Sequence, residues 1–509
     1  FMWTPPPEAP VSWGDLGVAL GVALASTEAA TLLAARSVVV GSASRFLHLA
    51  PASAPARTRM AVAFGAMGLA VTVVLVRFAP VTLPYRWLIL FIFMLNSLAL
   101  VSCSLLSPVV TLALGRLVVS AAGRVRGPSL LLAGRSIVRE PVRTVAVVSA
   151  IVLGLGWTLA DASLFASFRG SWLDWVDTQY QSDLIVSADA TTLSFLTAPP
   201  LSDDIVPALR AVPGVHDVQG VRVIDITYDG HAAAVQAFDP SPLGPDLLDG
   251  TWEAVAPAFW AGAGVAVSYQ LAHLRGLTKG DVVSLQTPRG ERRFPVLGVF
   301  TDFRVAYVGS IAISRTAYEA AWGDGLVNTV RVWVEPGADV ATVRGAIQSR
   351  LGKTRGLYTV TAGEFRLAVH ERMEQVFALQ YVIVVIALLV AGVGVTNFLL
   401  SAVLDRQPEL RSLSACGVSA RDISLAIVIE GALLGVVGAT IGLIAGVVVA
   451  RLIVVHSVPM VNGWLFAFRF PTGYALRLAA SVILLAAGAG ILPARAATRR
   501  HLIHVGIPE

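Results

Sequence analysis

Seven residues between Leu404 and Asp422 have the types and spacing to grip another protein: Arg406, Glu409, Leu410, Arg411, Leu413, Gly417 and Arg421. At helical period Leu410, Leu413 and Gly417 share one face, while Arg406 and Glu409 share another. The chemistry this allows is docking, since the stretch holds no nucleophile paired with a base and no ligand set. Other chemistries fail on residue type. Gly345…Gly352-Lys353-Thr354 has six residues between its glycines, where a phosphate-cradling loop needs four, and it reads as a helix end. Without that cradle, ATP hydrolysis by this chain is not expected. Of eight histidines only His501-x-x-His504 has ligand spacing, and no thiol lies near it in sequence. There is no Gly-x-Ser-x-Gly elbow and no Cys/His pairing. The sequence therefore predicts no catalytic, cofactor-binding or metal residue.

The docking stretch is positioned by two apolar segments, 376–403 and 423–455, each longer than the ~20 residues a helix needs to cross a bilayer. Five more spans are expected at 14–36, 60–79, 87–112, 144–166 and 474–494. Composition agrees: 55% hydrophobic and 14% charged, against roughly a quarter charged in soluble domains. Net charge is +5, but the arginines lie beside the apolar runs, which suits membrane orientation and not a nucleic-acid surface. Arg116, Arg124, Arg126, Arg135, Arg139 and Arg143 cluster against the single Glu140, and 404–422 and the tail with Arg495, Arg499 and Arg500 are also basic. The positive-inside rule places these in the cytoplasm and the polar region between Phe168 and Gln375 outside. Arg77 and Arg451, near span ends on the outer side, can snorkel. Only Cys103 and Cys416 are present, so the outer region must rest on an ordinary core.

That outer region reads as α/β. Strands are expected at 183–187, 221–228, 281–286, 293–300 and 329–334, with turns at Asp229-Gly230, Gly280-Asp281 and Arg289-Gly290. Helices are expected at Ser202–Ala211 and Ala338–Leu351, the first capped by Ser202 with Asp203 and Asp204 in its opening turn. Trp172 and Trp175 suit an outer membrane interface. Ala362–Gln380 reads as a helix running into the fifth span.

Two carboxylates fall inside spans, Glu28 and Glu430. Each would cost about 2.5–3.5 kcal/mol at the bilayer centre, so both should face protein, water or headgroups. Glu430 can serve as a latch near the docking loop. Gly431, Gly435, Gly438, Gly442 and Gly446 form a small-residue face that should admit the fifth or the seventh span.

Leu131-Leu-Ala-Gly-Arg-Ser-Ile-Val-Arg-Glu-Pro-Val-Arg-Thr144, Val212-Pro-Gly-Val215, Leu274–Asp281, Val296–Asp302, Leu404–Asp422 and Leu492–Arg500 together resemble, in order and spacing, the FtsX-like permeases of ABC transporters, the group of MacB and LolC/LolE. The resemblance implies a multi-span α-helical membrane protein of about seven transmembrane helices with one large extracytoplasmic α/β domain of MacB core type. It divides the chain into 1–45, the last span of a preceding unit; 46–128, two linking spans; 129–167, a cytoplasmic lead-in helix and first span; 168–375, the outer domain; and 376–509, three spans with the coupling helix 404–422 and a cytoplasmic tail. The similar Pro/aromatic, span and Ala-Arg pattern of 10–36 and 471–495 leads us to expect a whole unit upstream of Phe1.

By the same resemblance the chain is a non-catalytic permease subunit in the plasma (inner) membrane. An ABC ATPase dimer, holding ATP and Mg, docks on its cytoplasmic face, and a lipoprotein or substrate-binding protein is a candidate partner outside. Its expected work is extraction or export of a lipid, lipoprotein or peptide. The alternative is a mechanotransmission scaffold that regulates a cell-wall hydrolase or a signalling partner without translocation.

Overall fold

The computed structural model describes residues 54–491 apart from 79–84, 126–127, 140, 189–197, 242, 304–308, 353–354 and most of 376–417. The span expected at 14–36 and nearly all of that expected at 376–403, with Glu28, His501, His504 and Cys416, lie outside the described residues. Five described helices are long and apolar enough to cross a membrane.

α1 (Ala54–Arg77) is followed by α2 (Tyr85–Leu105) and α3 (Ser107–Val125). The span expected at 87–112 is thus broken at Leu106 and prolonged to Val125. The break falls just before Pro108, which lacks an amide donor and restricts the residue before it, so it sits in the first turn of a new helix. α4 (Pro128–Arg139) is amphipathic and packs on α3, and α5 (Pro141–Gln179) is one helix of 39 residues, about 58 Å long. α5 therefore crosses the membrane and continues as a stalk well past 166, where the apolar run ends.

Above it lies a nine-stranded sheet of order β5-β6-β4-β7-β3-β2-β8-β1-β9. Its strands are β1 (Leu184–Ser187), β2 (Val215–Tyr228), β3 (His231–Phe238), β4 (Val265–Ser268), β5 (Val282–Thr287), β6 (Gly290–Phe300), β7 (Ser310–Ser314), β8 (Thr329–Val334) and β9 (Tyr358–Thr361). Only β3–β7 and β4–β6 are parallel. The helices on it are α6 (Ile205–Arg210), α7 (Trp252–Trp260), α8 (Tyr269–Arg275), α9 (Arg315–Trp322) and α10 (Val340–Ile347).

Two apolar clusters divide the sheet into lobes. α6 and α10 bury Leu209, Val343 and Ile347 against Leu184, Val186, Val330 and Val332. α8 and α9 bury Leu271 and Tyr318 against Val235, Val267, Leu285 and Ile311. The 14-residue β2 serves both lobes, pairing β8 through its first half and β3 through its second. The Asp229-Gly230 hairpin has φ of 50° and 78°, the left-handed pair that a two-residue turn between twisted strands requires.

Ser202 is not the cap of α6. Asp204 occupies that position without a side-chain cap bond, because both aspartates are drawn off by arginines, Asp203 to Arg315 and Asp204 to Arg355 at 2.6 Å. Arg315, only 3% exposed, also holds Asp239 at 3.1 Å and Glu319 at 2.9 Å, tying the lobes together. Burial pushes the Asp239 carboxyl up, against the pull of the Arg315 guanidinium.

The chain returns through α11 (residues 362–375) and later forms α12 (Ala420–Leu452), α13 (Val458–Asn462) and α14 (Thr472–Ala489). A π-helical turn, Ile453–Ser457, joins α12 to α13.

Candidate functional site

Arg406, Glu409, Leu410, Arg411, Leu413 and Gly417 lie outside the described residues; Arg421 is exposed in the first turn of α12. What the structure does show is how the end of that loop is fixed. Ser419 Oγ accepts from the Asp422 amide at 3.1 Å, capping α12, and donates to the Asp422 carboxylate at 2.6 Å. The same carboxylate accepts from the buried Ser129 hydroxyl of α4 at 3.1 Å. The start of α12 and the start of the lead-in helix are thus one bonded unit.

From there α12 runs along α5 as a seam with almost no side chains in it. A Cβ at Gly438 would begin 2.6 Å from Ile151 Cγ2, one at Gly442 3.0 Å from Leu155 Cδ2, and one at Gly446 2.8 Å from Leu159 Cβ. Gly156 answers from α5, where a Cβ would begin 3.6 Å from the Gly442 carbonyl oxygen. Three side chains one helical turn apart therefore enter three glycine gaps, the arrangement that lets helices approach closely where lipid supplies no hydrophobic drive. Gly435 instead meets Ile483 and Ala486 of α14. The expected partners of this face are corrected accordingly: the seventh span takes Gly435, but the fourth span, α5, takes the other three, because its 151, 155, 159 row matches their spacing. Gly431 is buried and Glu430 half-buried just before it.

Above the membrane the same helix ends in a joint of rings. Trp172, Trp175 and Val176 of α5 and Tyr180 just after it are buried with Ile185 of β1, Phe303, and Phe365, Val369 and Met373 of α11. Trp175 meets Phe303 and Tyr180 edge-on at 6.0 and 6.2 Å, and Tyr180 lies 4.7 Å from Phe365. Phe466 stacks on Phe303 at 5.7 Å and meets Phe168 at 5.3 Å. The buried Arg331 of β8 lies 5.1 Å over the Tyr180 ring, carrying the contact into the sheet. Trp172 and Trp175, read from sequence as interface anchors, are 7% and 6% exposed and belong to this joint.

Ser167, Gly170, Ser171 and Asp174 lie on one face of α5, at helical spacing. The segment 467–469 is strapped along that face. The Arg469 amide donates to Ser167 Oγ at 2.9 Å, the Ala467 amide donates to Ser171 Oγ at 2.8 Å, and the Arg469 guanidinium reaches Asp174. Gly170 leaves room for that side chain to lie flat. Arg169–Glu374 at 3.0 Å and Arg366–Asp177 at 3.9 Å clamp α5 to α11. α11 itself opens with a capping box that sequence reading passed over. Thr361 Oγ1 accepts from the Glu364 amide at 3.0 Å, and Glu364 accepts from the Thr361 amide at 2.9 Å. The Thr361 amide, with Arg344 beside it, holds the Glu364 carboxyl below the usual carboxylate range. The Thr-x-x-Glu spacing was the available signal.

Apolar helices bonded to one another, with a large sheet domain carried on a two-helix stalk, are the architecture of a multi-pass membrane protein. Comparison with known proteins agrees. The FtsX-like permease C-terminal family matches residues 381–502. An uncharacterized ABC transporter permease protein of Mycobacterium tuberculosis, Rv0987, is 26% identical over 78% of this chain and 47% of its own length. A second uncharacterized ABC transporter permease, from Methanocaldococcus jannaschii, is 25% identical over 50% of the chain and 69% of its own length. The macrolide export ATP-binding/permease protein MacB of Nitrosomonas europaea is 33% identical over 22% of the chain and 16% of its own length. Among solved structures, the periplasmic region of MacB from Actinobacillus actinomycetemcomitans aligns at TM-score 0.30 and 10% identity, covering 38% of this chain and 95% of that one. The C-terminal part of the chain matches the FtsX-like permease family, and the chain is similar over most of its length to an ABC transporter permease. It spans about half the length of the mycobacterial relative, 47%.

Proposed function

We propose that this chain is the half of an ABC permease that converts closure of a partner ATPase dimer into movement of the outer sheet domain. The arginine-rich ends are cytoplasmic in this reading, and the ATPase, carrying ATP and Mg, docks on 404–422. The observation that carries the proposal is the continuity of α5. One helix runs along the glycine seam with α12, whose start is bonded to α4 through Ser129 and Asp422, and on to the ring joint beneath the sheet. A push on the start of α12 would move α5 with it, and the joint would pass that displacement to the sheet as a rigid-body shift. The work done outside is extraction or export of a lipid, lipoprotein or peptide. The MacB relative is named for macrolide export, which supports a reading in which the cargo is amphipathic. A second such unit would complete the permease.

The test is Glu409→Lys. At helical period Arg406 and Glu409, three apart, would share one face, and a like charge against the ATPase surface typically costs several kcal/mol when desolvated. Stimulation of the partner's ATP hydrolysis should be lost while the outer domain stays folded. Wild-type assembly and stimulation would remove 404–422 as the transmitting element.

A further inference from the structure

α3 and α4 touch through a reciprocal pair of glycines. A Cβ at Gly115 would begin 2.9 Å from Ile137 Cγ2, and one at Gly134 3.0 Å from Val118 Cγ1 and from Val119 Cγ2. The residue after each glycine is an arginine, Arg116 or Arg135, and both are exposed. With Val119, Ser120 and Val138 they line an open groove of about 340 Å³ between the helices. Neither guanidinium is paired with a carboxylate among the described residues.

The surroundings say what such a groove would hold. Arg116 lies inside the apolar stretch Trp87–Ala122. Beside it Val110, Ala113 and Leu117 form an exposed stripe, with Leu117 62% exposed. An unpaired guanidinium on a lipid-facing helix must reach the headgroup level, because burial of its charge in hydrocarbon is costly. Two guanidiniums flanking one crossing offer the forked donors that fit phosphate oxygens.

We propose that this groove binds the phosphate of an anionic phospholipid between Arg116 and Arg135, with an acyl chain along Val110, Ala113 and Leu117. The bound lipid pins α4 to α3. Since Ser129 of α4 holds Asp422, it also sets the position of the start of α12. The site needs only that α3 lies in the bilayer, so it stands or falls separately from the transport reading.

The experiment is native mass spectrometry of the full chain in detergent with equimolar dioleoyl phosphatidylglycerol and dioleoyl phosphatidylcholine. The wild type should retain phosphatidylglycerol in preference. Arg116→Gln/Arg135→Gln should lower that retention about tenfold or more, on the scale of ~1 kcal/mol per basic residue at an anionic surface, and leave phosphatidylcholine unchanged. Ser120→Glu should do the same with both arginines in place, which decides the matter if the double variant does not fold. Wild-type phosphatidylglycerol retention in Ser120→Glu, or equal retention of both lipids by the wild type, would overturn the assignment. Displacement of the lipid by inorganic phosphate would also overturn it, by making the groove a site for free anions.

Discussion

α5 is held twice along its length, by opposite means. In the membrane its neighbour α12 presents glycines, and the contact is backbone against Ile151, Leu155 and Leu159. Above the membrane its neighbours present Phe303, Phe365, Trp464 and Phe466, and the contact is ring against ring. The solvent explains the difference. Lipid gives no reward for burying an apolar side chain, so close approach must come from having none. Water does reward it, so large rings gather wherever they can be covered. The seam fixes the distance between two helices; the joint supplies the energy that keeps the outer domain on its stalk.

The comparison breaks first at the joint. Trp175→Ala should destabilise the outer domain by about 3–5 kcal/mol, the usual cost of removing a large buried ring, read as a lowered midpoint of thermal unfolding of the purified chain. A loss below about 1 kcal/mol would show that the rings merely fill space. The seam should respond to added volume instead. Gly446→Leu should cost about 1–3 kcal/mol by forcing α5 away, measured by the same unfolding, whereas Gly154→Leu, on a face with nothing within 4 Å, should be neutral. Equal effects at the two glycines would dissolve the seam as a special contact.

The smallest effect sharpens the joint's lower edge. Glu364 has a depressed folded pKa, so its contribution is present above its unfolded value of about 4.3 and is lost as pH falls through the lower folded one. Amide-exchange protection of the first turn of α11 should decline in that acid window by less than about 1 kcal/mol, since the group is exposed. Glu364→Gln should flatten the dependence. An unchanged profile in the variant would remove the capping carboxylate as its cause.

Much of this was legible in the chain. β5, β6, β8 and the second half of β2 carry β-branched or aromatic residues in alternation, and each apolar run became a helix where described. β3 was not legible, because His231-Ala-Ala-Ala-Val-Gln-Ala-Phe238 has neither period nor β-branched weight; its place comes from pairing on both sides with β2 and β7. Nor did hydropathy show α5 continuing past 166. The polar residues there, Ser167, Ser171 and Asp174, look like a loop until the strap they hold is known. The seam was visible as glycines but not its partner, since spacing marks a close approach without saying to what.

The sheet's two connections to the stalk are adjacent strands. β1 follows α5, β9 precedes α11, and they pair antiparallel from Leu184↔Thr361 at the base to Ser187↔Tyr358. Below the first rung the residue 362 amide still donates to the Asp183 carbonyl at 3.0 Å. In mechanical terms this is a zipper with its pull-tab at the base. Tension that spread the two helices sideways would meet the rungs one at a time, the weakest way to load a ladder. Tension or thrust shared by both helices would meet none of them. The Arg169–Glu374 and Arg366–Asp177 clamps sit just below the tab, so the stalk can be driven as a piston but not opened as a pair of tongs.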